Sequence, residues 1–123
     1  MIDVVMCIRR KADVTPEEFR RYWLEEHGER VKQRAATIGA VGYVQQHTID
    51  TGLESIVQEG RGCSDDRFDG IAVVSFNSLD EMATKGAEPD ALAAAEELMV
   101  DEATFIDHSR SLIWFTERHE LIG

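Results

Sequence analysis

The sequence predicts an α+β fold of the ferredoxin-like split βαβ type, an antiparallel four-stranded sheet with helices on one face. Strand-like and amphipathic helical segments follow the order strand, helix, strand, strand, helix, strand along 123 residues. The first and third strands are apolar on both alternating faces, so a second layer must cover the sheet face that carries no helix. A second copy of the chain is the simplest cover, which predicts a homodimer with two sheets packed face to face.

The chain length predicts one domain over residues 1–123. No apolar run approaches the roughly 18 residues that a bilayer crossing needs. At the N-terminus the basic residues follow the apolar stretch, the reverse of their order in a signal peptide. We therefore expect a cytoplasmic protein.

The net charge of −11 is concentrated in the second half of the chain. Residues 1–49 carry eight Lys or Arg against seven Asp or Glu, whereas residues 50–123 carry five against seventeen. No stripe of Lys and Arg is present to neutralise phosphates. Nucleic acids and anionic membranes are therefore excluded as predicted partners.

The first strand is predicted over residues 2–9 and, because it is apolar on both faces, at the centre of the sheet. A helix then begins at Pro16, with Thr15 as its N-cap, and runs to about Thr37. Gly39 is its predicted C-cap.

A second strand over residues 41–48 leads into a long aperiodic loop, 49–67, that we interpret as a candidate lid. A short helical turn is expected inside it, at residues 53–57. The remaining predicted elements are a strand over 68–76, helical segments over 79–85 and 90–101, a turn over 105–109 and a strand over 110–116.

His27 is the most informative residue of the first helix. At about 100° per residue it falls near the middle of an apolar helical face. A histidine there is either a core residue with a satisfied hydrogen bond or a general acid or base in an apolar pocket. The other members of this face are predicted to be Phe19, Trp23, Leu24, Val31 and Ile38. Gly28, directly after His27, permits a close backbone approach or a bend.

Several motifs, in their order and spacing, resemble the EthD family of dimeric α+β barrels. They are YW-x-x-x-HG at residues 22–28, Tyr43-Val44-Gln45, FDG-x-A at residues 68–72, and Asp101-Glu102-x-x-Phe105-Ile106-Asp107 followed by Leu112 to Trp114. The resemblance implies a homodimeric barrel with a cavity between sheet and helices. It also implies cofactor-independent chemistry on a small aromatic or carbonyl-bearing molecule, either as an oxidoreductase or as a cyclase, decarboxylase or dehydratase.

Candidate site residues follow from these patterns. His27 and His47 are the predicted acid or base groups, and Tyr43 lies beside His47 on one strand face. Asp69, Asp101 or Asp107 is a possible carboxylate partner for an imidazole, although turn formation and solvation are the alternative roles. The predicted ligand contacts are Trp23, Tyr43, Arg61, Asp69, Phe76 and Trp114, with core packing or surface solvation as the alternatives. The four histidines show no ligand spacing, so we expect no metal. No glycine-rich phosphate loop follows a strand, and the resemblance implies cofactor-independent chemistry, so we expect no other cofactor.

Two functions of different classes remain open from the sequence. The first is an enzyme in which His27 transfers a proton to or from a small hydrophobic substrate. The second is a non-catalytic dimer that binds or sequesters such a molecule. A third, purely structural possibility is a dimer whose cavity is filled by side chains. Turnover by the purified protein identifies the first, and a shift in melting temperature with ligand separates the second from the third.

Overall fold

The computed structural model describes residues 1–123, with four strands and five α-helices. In chain order the elements are β1 (Ile2–Ile8), α1 (Pro16–Arg21), a π-helical segment (Tyr22–His27), α2 (Gly28–Ile38), β2 (Gly42–His47), α3 (Glu54–Glu59), β3 (Gly70–Phe76), α4 (Leu79–Gly86), α5 (Pro89–Glu102), a 3₁₀ turn (His108–Arg110) and β4 (Leu112–Glu117).

The four strands form one antiparallel sheet in the order β2-β3-β1-β4. β1 lies inside the sheet, as its two apolar faces predict. Ile8 pairs with Gly70 of β3, and Val5 pairs with Trp114 of β4. The topology and strand directions confirm the predicted ferredoxin-like fold.

The ends of the helices follow local sequence signals. Thr15 Oγ1 accepts a hydrogen bond from the Glu18 backbone N–H at 3.2 Å, and Ser78 caps α4 in the same way. Gly39 ends α2 with a φ of 82°. A side chain is strained at that φ, so the glycine is required there.

The first long helix is continuous but not α-helical throughout, contrary to the sequence prediction. In its central π-helical segment the Gly28 N–H donates to the Trp23 carbonyl, five residues earlier. The wider turn changes the residue period, so an α-helical wheel places Leu24 incorrectly. Leu24, predicted on the buried face, is 60% exposed, whereas Phe19, Trp23, His27 and Val31 are buried.

The two sheet faces are packed very differently. The helices cover one face, which we call the inner face, except at its β4 edge, and bury a core of Ile8, Phe19, Trp23, Ala72, Phe105 and Ile106 against it. No helix covers the other face, the outer face, although it carries apolar side chains such as Val44, Leu112 and Trp114. This arrangement confirms that the helices lie on one side only.

The segment 49–67 contains one short helix, α3, which has no buried residue. Ion pairs hold the segment at its base, where Arg67 contacts Asp50 at 2.9 Å and Asp65 at 2.6 Å. None of its residues lines the cavity between sheet and helices described below. Its function as a lid therefore stays a prediction. No helix in the structure has the length and apolarity that a bilayer crossing requires.

Candidate active site

A cavity of about 280 Å³ lies between the inner face of the sheet and the helices. This volume is near the lower end of the range for small-molecule sites, roughly 300 to 1,000 Å³. Fourteen of its sixteen lining residues are hydrophobic, and the other two are His27 and Glu102. The lining residues include Val4, Met6 and Ile8 of β1, Ala72, Val74 and Phe76 of β3, Trp23, Val31, Tyr43, Leu98 and Ile106. The cavity is therefore an apolar space with two ionisable groups on its wall.

His27 is only 4% exposed and forms a close pair with Asp101 near the end of α5. The His27 Nδ1 and the Asp101 Oδ2 are 2.7 Å apart. Phe105 packs against the imidazole, with its ring centroid at 5.2 Å. The ring is therefore held by one polar contact and one aromatic contact, which together restrict its orientation.

The other carboxylate oxygen of Asp101, Oδ1, accepts hydrogen bonds from the Tyr22 hydroxyl and from Arg30. Burial alone would raise the pKa of Asp101. The hydrogen bonds from Tyr22 and His27 and the positive charge of Arg30 outweigh burial, so the pKa lies below its ordinary value. Asp101 is therefore an anion at neutral pH, although it is 5% exposed.

An anionic Asp101 determines which imidazole nitrogen is free. The carboxylate accepts a hydrogen bond from Nδ1–H, so the neutral ring carries its lone pair on Nε2. Nε2 has no hydrogen-bond partner in the protein. Because every fully buried polar side-chain atom has a partner, Nε2 is not fully buried. His27 lines the cavity, and Nε2 is the ring nitrogen that stays unpaired.

The π-helical segment brings Tyr22 and His27 to the same carboxylate. Five residues differ by about 140° on an α-helical wheel, whereas a π-helix places residues five apart near one another. The Gln45 side chain braces this segment by donating to the Trp23 carbonyl at 2.8 Å. A Cβ on Gly28 would lie 3.2 Å from Gln45 Nε2, so this glycine permits the predicted close approach.

His47 lies on the inner face but does not line the cavity. Its ring stacks on Trp23 at 4.3 Å, and its Nε2 is 2.8 Å from Gln45 Oε1. Burial, with a smaller contribution from the charge of Arg20, lowers the pKa of His47. Trp23 lines the cavity, so His47 contacts the cavity wall only through the indole on which it stacks.

Tyr43 does line the cavity, and its hydroxyl accepts a hydrogen bond from Gln45 Nε2 at 2.7 Å. Burial raises the pKa of Tyr43, so the phenol stays protonated at neutral pH. Its O–H remains a donor as well as an acceptor.

The structure brings four of the predicted site residues together around the cavity, namely Trp23, His27, Tyr43 and Phe76. Trp114 instead lies on the outer face, because it pairs with Val5 while the cavity-facing residues of β1 are its neighbours on either side.

Asp69 and Arg61 are also away from this cavity. Asp69 accepts a hydrogen bond from the Arg10 backbone N–H at 2.8 Å, and Arg61 is exposed and bonds the Val57 carbonyl. Asp107 accepts a hydrogen bond from Ser109 within its own turn, whereas the partner of Asp69 is the distant Arg10, so Asp101 alone of the three candidate carboxylates meets an imidazole. No group of three His, Cys, Asp or Glu side chains has the arrangement of a metal site.

Sequence reasoning missed four residues of the site: Tyr22, Arg30, Glu102 and Phe105. Tyr22, Glu102 and Phe105 lie inside the motifs that carry the family resemblance, so a signal was available for them. Arg30 gives no sequence signal, because an arginine on a helix is an ordinary surface residue.

A family model described as the EthD domain matches residues 11–109. Among curated proteins, none is significantly similar in sequence. Solved structures share the fold at low identity, which supports the architecture only, and three of them serve as examples. A dimeric ferredoxin-like protein of unknown function from Bacteroides fragilis is 14% identical, with 95% of each chain covered and a TM-score of 0.57.

The other two structures are of enzymes. The hydroxynitrile lyase from Passiflora edulis is 11% identical, with 99% of this chain and 96% of that chain covered and a TM-score of 0.60. SnoaB, a cofactor-independent oxygenase from Streptomyces nogalater, is 15% identical, with 98% and 95% covered and a TM-score of 0.53. The EthD model spans most of the sequence and includes both His27 and Asp101. The chain therefore belongs to the EthD family.

Proposed function

We propose that this protein is a cofactor-independent enzyme that transfers a proton to or from a small hydrophobic molecule with a carbonyl or phenolic group. The observation that carries the proposal is the buried His27–Asp101 pair, whose imidazole lines an apolar cavity and keeps one nitrogen without a hydrogen-bond partner. A purely structural histidine would also be satisfied by such a partner; what favours chemistry is that the second ring nitrogen has no partner in a residue that lines a cavity.

The contacts of His27 support a role as a general base. Nε2 takes a proton from a C–H next to a carbonyl or from a phenolic O–H, and the imidazole becomes positively charged. Asp101 stabilises that charge across 2.7 Å in a site that excludes most water. Arg30 and Tyr22 keep the carboxylate ionised, so the proton remains on the histidine until it returns to the substrate.

The related folds support enzymatic chemistry without deciding its class. One structure of this fold is a hydroxynitrile lyase and another is a cofactor-independent oxygenase. Proton removal from a bound molecule is a step that either class of reaction can use. The proposal therefore commits to the proton transfer and its residues, with oxidoreductase and lyase or isomerase activities as its possible outcomes.

Deuterium incorporation tests the proton transfer directly. Wild-type protein in D₂O is incubated with 1-tetralone, a small aromatic ketone, and mass spectrometry follows exchange of the C–H next to the carbonyl. We expect exchange above the buffer rate, and a His27→Gln variant should lose the protein-dependent part by a factor of about 10² or more. His119→Gln, at a histidine whose side chain is 72% exposed, is the matched control and should exchange like wild type.

Equal exchange by wild type and His27→Gln would contradict the proposal, provided both melt at similar temperatures. A second outcome favours the alternative function. If 1-tetralone raises the melting temperature while no exchange occurs, the cavity binds this class of molecule without turning it over.

We also propose that two copies associate through the outer face. Val44, Leu112 and Trp114 are 49%, 52% and 45% exposed there, although each is an apolar side chain on a strand. Exposed apolar surface of this kind favours association. The dimeric Bacteroides fragilis protein of the same fold supports a homodimer.

Sedimentation equilibrium tests the dimer with two matched variants. Leu112→Arg places a charge on the outer face, whereas Leu92→Arg places it on a helix surface where the leucine is 59% exposed. We expect wild type and Leu92→Arg to sediment as dimers and Leu112→Arg as a monomer. A monomeric wild type at micromolar concentration would contradict the proposed association.

A further inference from the structure

Glu102 is the second ionisable group of the cavity wall, and the proton transfer proposed above does not use it. It is the last residue of α5, directly after Asp101. Because consecutive helical residues point about 100° apart, the side chains of Asp101 and Glu102 lie on different sides of the end of α5. Asp101 meets His27, while Glu102 faces the cavity.

The position of Glu102 is at the mouth of the cavity. A second, more open groove of about 440 Å³ shares Met6, Glu102 and Ile113 with the cavity. His108 and Met99 line its outer part. A molecule that enters through this groove therefore passes the Glu102 carboxylate.

One oxygen of Glu102 is free for a ligand. Oε1 lies 3.2 Å from His108 Nε2, and Oε2 accepts no hydrogen bond from the protein. The side chain is 19% exposed, so the carboxylate is partly removed from water. An ionised carboxylate only accepts hydrogen bonds, so its natural partner is a donor.

The rest of the cavity wall strengthens this preference. No Lys or Arg lines it, so an anionic ligand would meet no fixed positive charge there. Like charges held a few ångströms apart in a partly dry site repel strongly. Hydrogen bonds to a charged group are also stronger than those between neutral groups.

We infer that Glu102 determines the substrate class: it accepts a hydrogen bond from a hydroxyl group of a neutral aromatic molecule and excludes aromatic carboxylates of the same size. The inference rests on the proposed role of the cavity as a ligand site. It adds a second anchor, so that the ligand lies between His27 in the interior and Glu102 at the mouth.

Binding of three probes of one ring system tests this assignment, namely 2-naphthol, 2-methoxynaphthalene and 2-naphthoate. Calorimetric titration of wild type should rank 2-naphthol tightest, with 2-methoxynaphthalene about tenfold weaker because it has no donor. The anionic 2-naphthoate should bind most weakly. Binding, rather than turnover, is the readout, so the result does not depend on the proton transfer.

Glu102→Gln keeps the shape of the side chain and removes its charge. We expect this variant to lose about tenfold in affinity for 2-naphthol and to gain at least about tenfold for 2-naphthoate. Glu102→Ala, which removes the carboxylate altogether, should show the same gain for 2-naphthoate. Glu96→Gln is the matched control, because Glu96 is on the outside of the same helix and should keep the wild-type ranking.

Unchanged preference between 2-naphthol and 2-naphthoate in both Glu102 variants would overturn the inference while leaving the His27 proposal intact. Failure of the wild type to bind any of the three probes would also overturn it. Conversely, a wild type that shows no deuterium exchange, while its ranking of the three probes still depends on Glu102, would contradict the proposed reaction and support the proposed specificity.

Discussion

The two tryptophans of this chain lie on opposite faces of one sheet, in opposite environments. Trp23 is 1% exposed, packs against Phe19 at a centroid distance of 5.4 Å and lines the cavity. Trp114 is 45% exposed on the outer face, where no helix covers it. Trp23 is on the apolar face of a predicted helix and Trp114 is in a predicted strand, and the sequence predicts a ligand contact for each. The structure gives the first a place in the ligand site and the second a place on the surface proposed for association.

Two buried aspartates show the same division between the faces. On the outer face, Asp3 is held by Ser75 at 2.6 Å and by Arg118 at 2.9 Å and 3.1 Å, so both of its oxygens are occupied by residues of the sheet and its edge. On the inner face, the contacts of Asp101 include an imidazole whose second nitrogen is free. A buried carboxylate whose oxygens are bound only by structural side chains stabilises the fold. One that binds a histidine beside a cavity can also support chemistry.

Replacing each tryptophan by alanine should give the largest difference in the free energy of unfolding between the two faces. Trp23→Ala removes a fully buried ring, and we expect it to lower the free energy of unfolding by about 3 to 5 kcal/mol. Trp114→Ala should cost the dilute monomer only about 0.5 kcal/mol, as at an exposed site. Urea denaturation over a tenfold range of protein concentration measures both effects. Equal losses for the two variants would contradict the assignment of the faces.

Adding one methyl group to the inner face should have the next largest effect. In β3, a Cβ on Gly70 would lie 2.4 Å from Cζ3 of Trp23, so the indole or the strand has to move. We expect Gly70→Ala to destabilise the protein by about 1 to 3 kcal/mol in thermal or urea denaturation.

Gly60→Ala is the matched control for this change, because nothing lies within 4 Å of a Cβ at that position and its φ of −62° suits any residue. We expect a change within about 0.5 kcal/mol. If Gly70→Ala were tolerated equally well, Trp23 would not be packed against β3 as described.

The pH dependence of stability tests the ionised state of Asp101. Its folded pKa lies below the ordinary value for an aspartate, about 3.9. The pairing therefore contributes stability above that value, and this contribution is lost as the pH falls through the folded pKa. Urea midpoints between pH 7 and pH 2 should decline less steeply for Asp101→Asn than for wild type.

Asp13→Asn, at an exposed aspartate in the loop before α1, controls for the loss of any one carboxylate. It should follow the wild-type profile. Coincident profiles for wild type and Asp101→Asn would show that Asp101 does not gain its stabilising partners on folding.

Sequence and tertiary structure determined different parts of this protein. Local patterns sufficed for the order of the elements, the caps at Thr15 and Gly39, the inner position of β1 and the burial of His27. These features depend on periodicity and on near neighbours in the chain, which the sequence displays directly. The family resemblance added the expectation of a cavity.

Only the tertiary structure decided which groups meet. Asp101 is 74 residues from His27 in the chain. The sequence offered three aspartates as partners for an imidazole, and only the packing of the helices showed which of them meets His27. The π-helical turn was not visible in the sequence, since its stabilisation depends on Gln45 from a distant strand. The placement of Trp114 on the outer face likewise follows from its pairing with Val5. Contacts between residues so far apart in the chain depend on how the helices pack on the sheet. Residue types alone do not determine that packing.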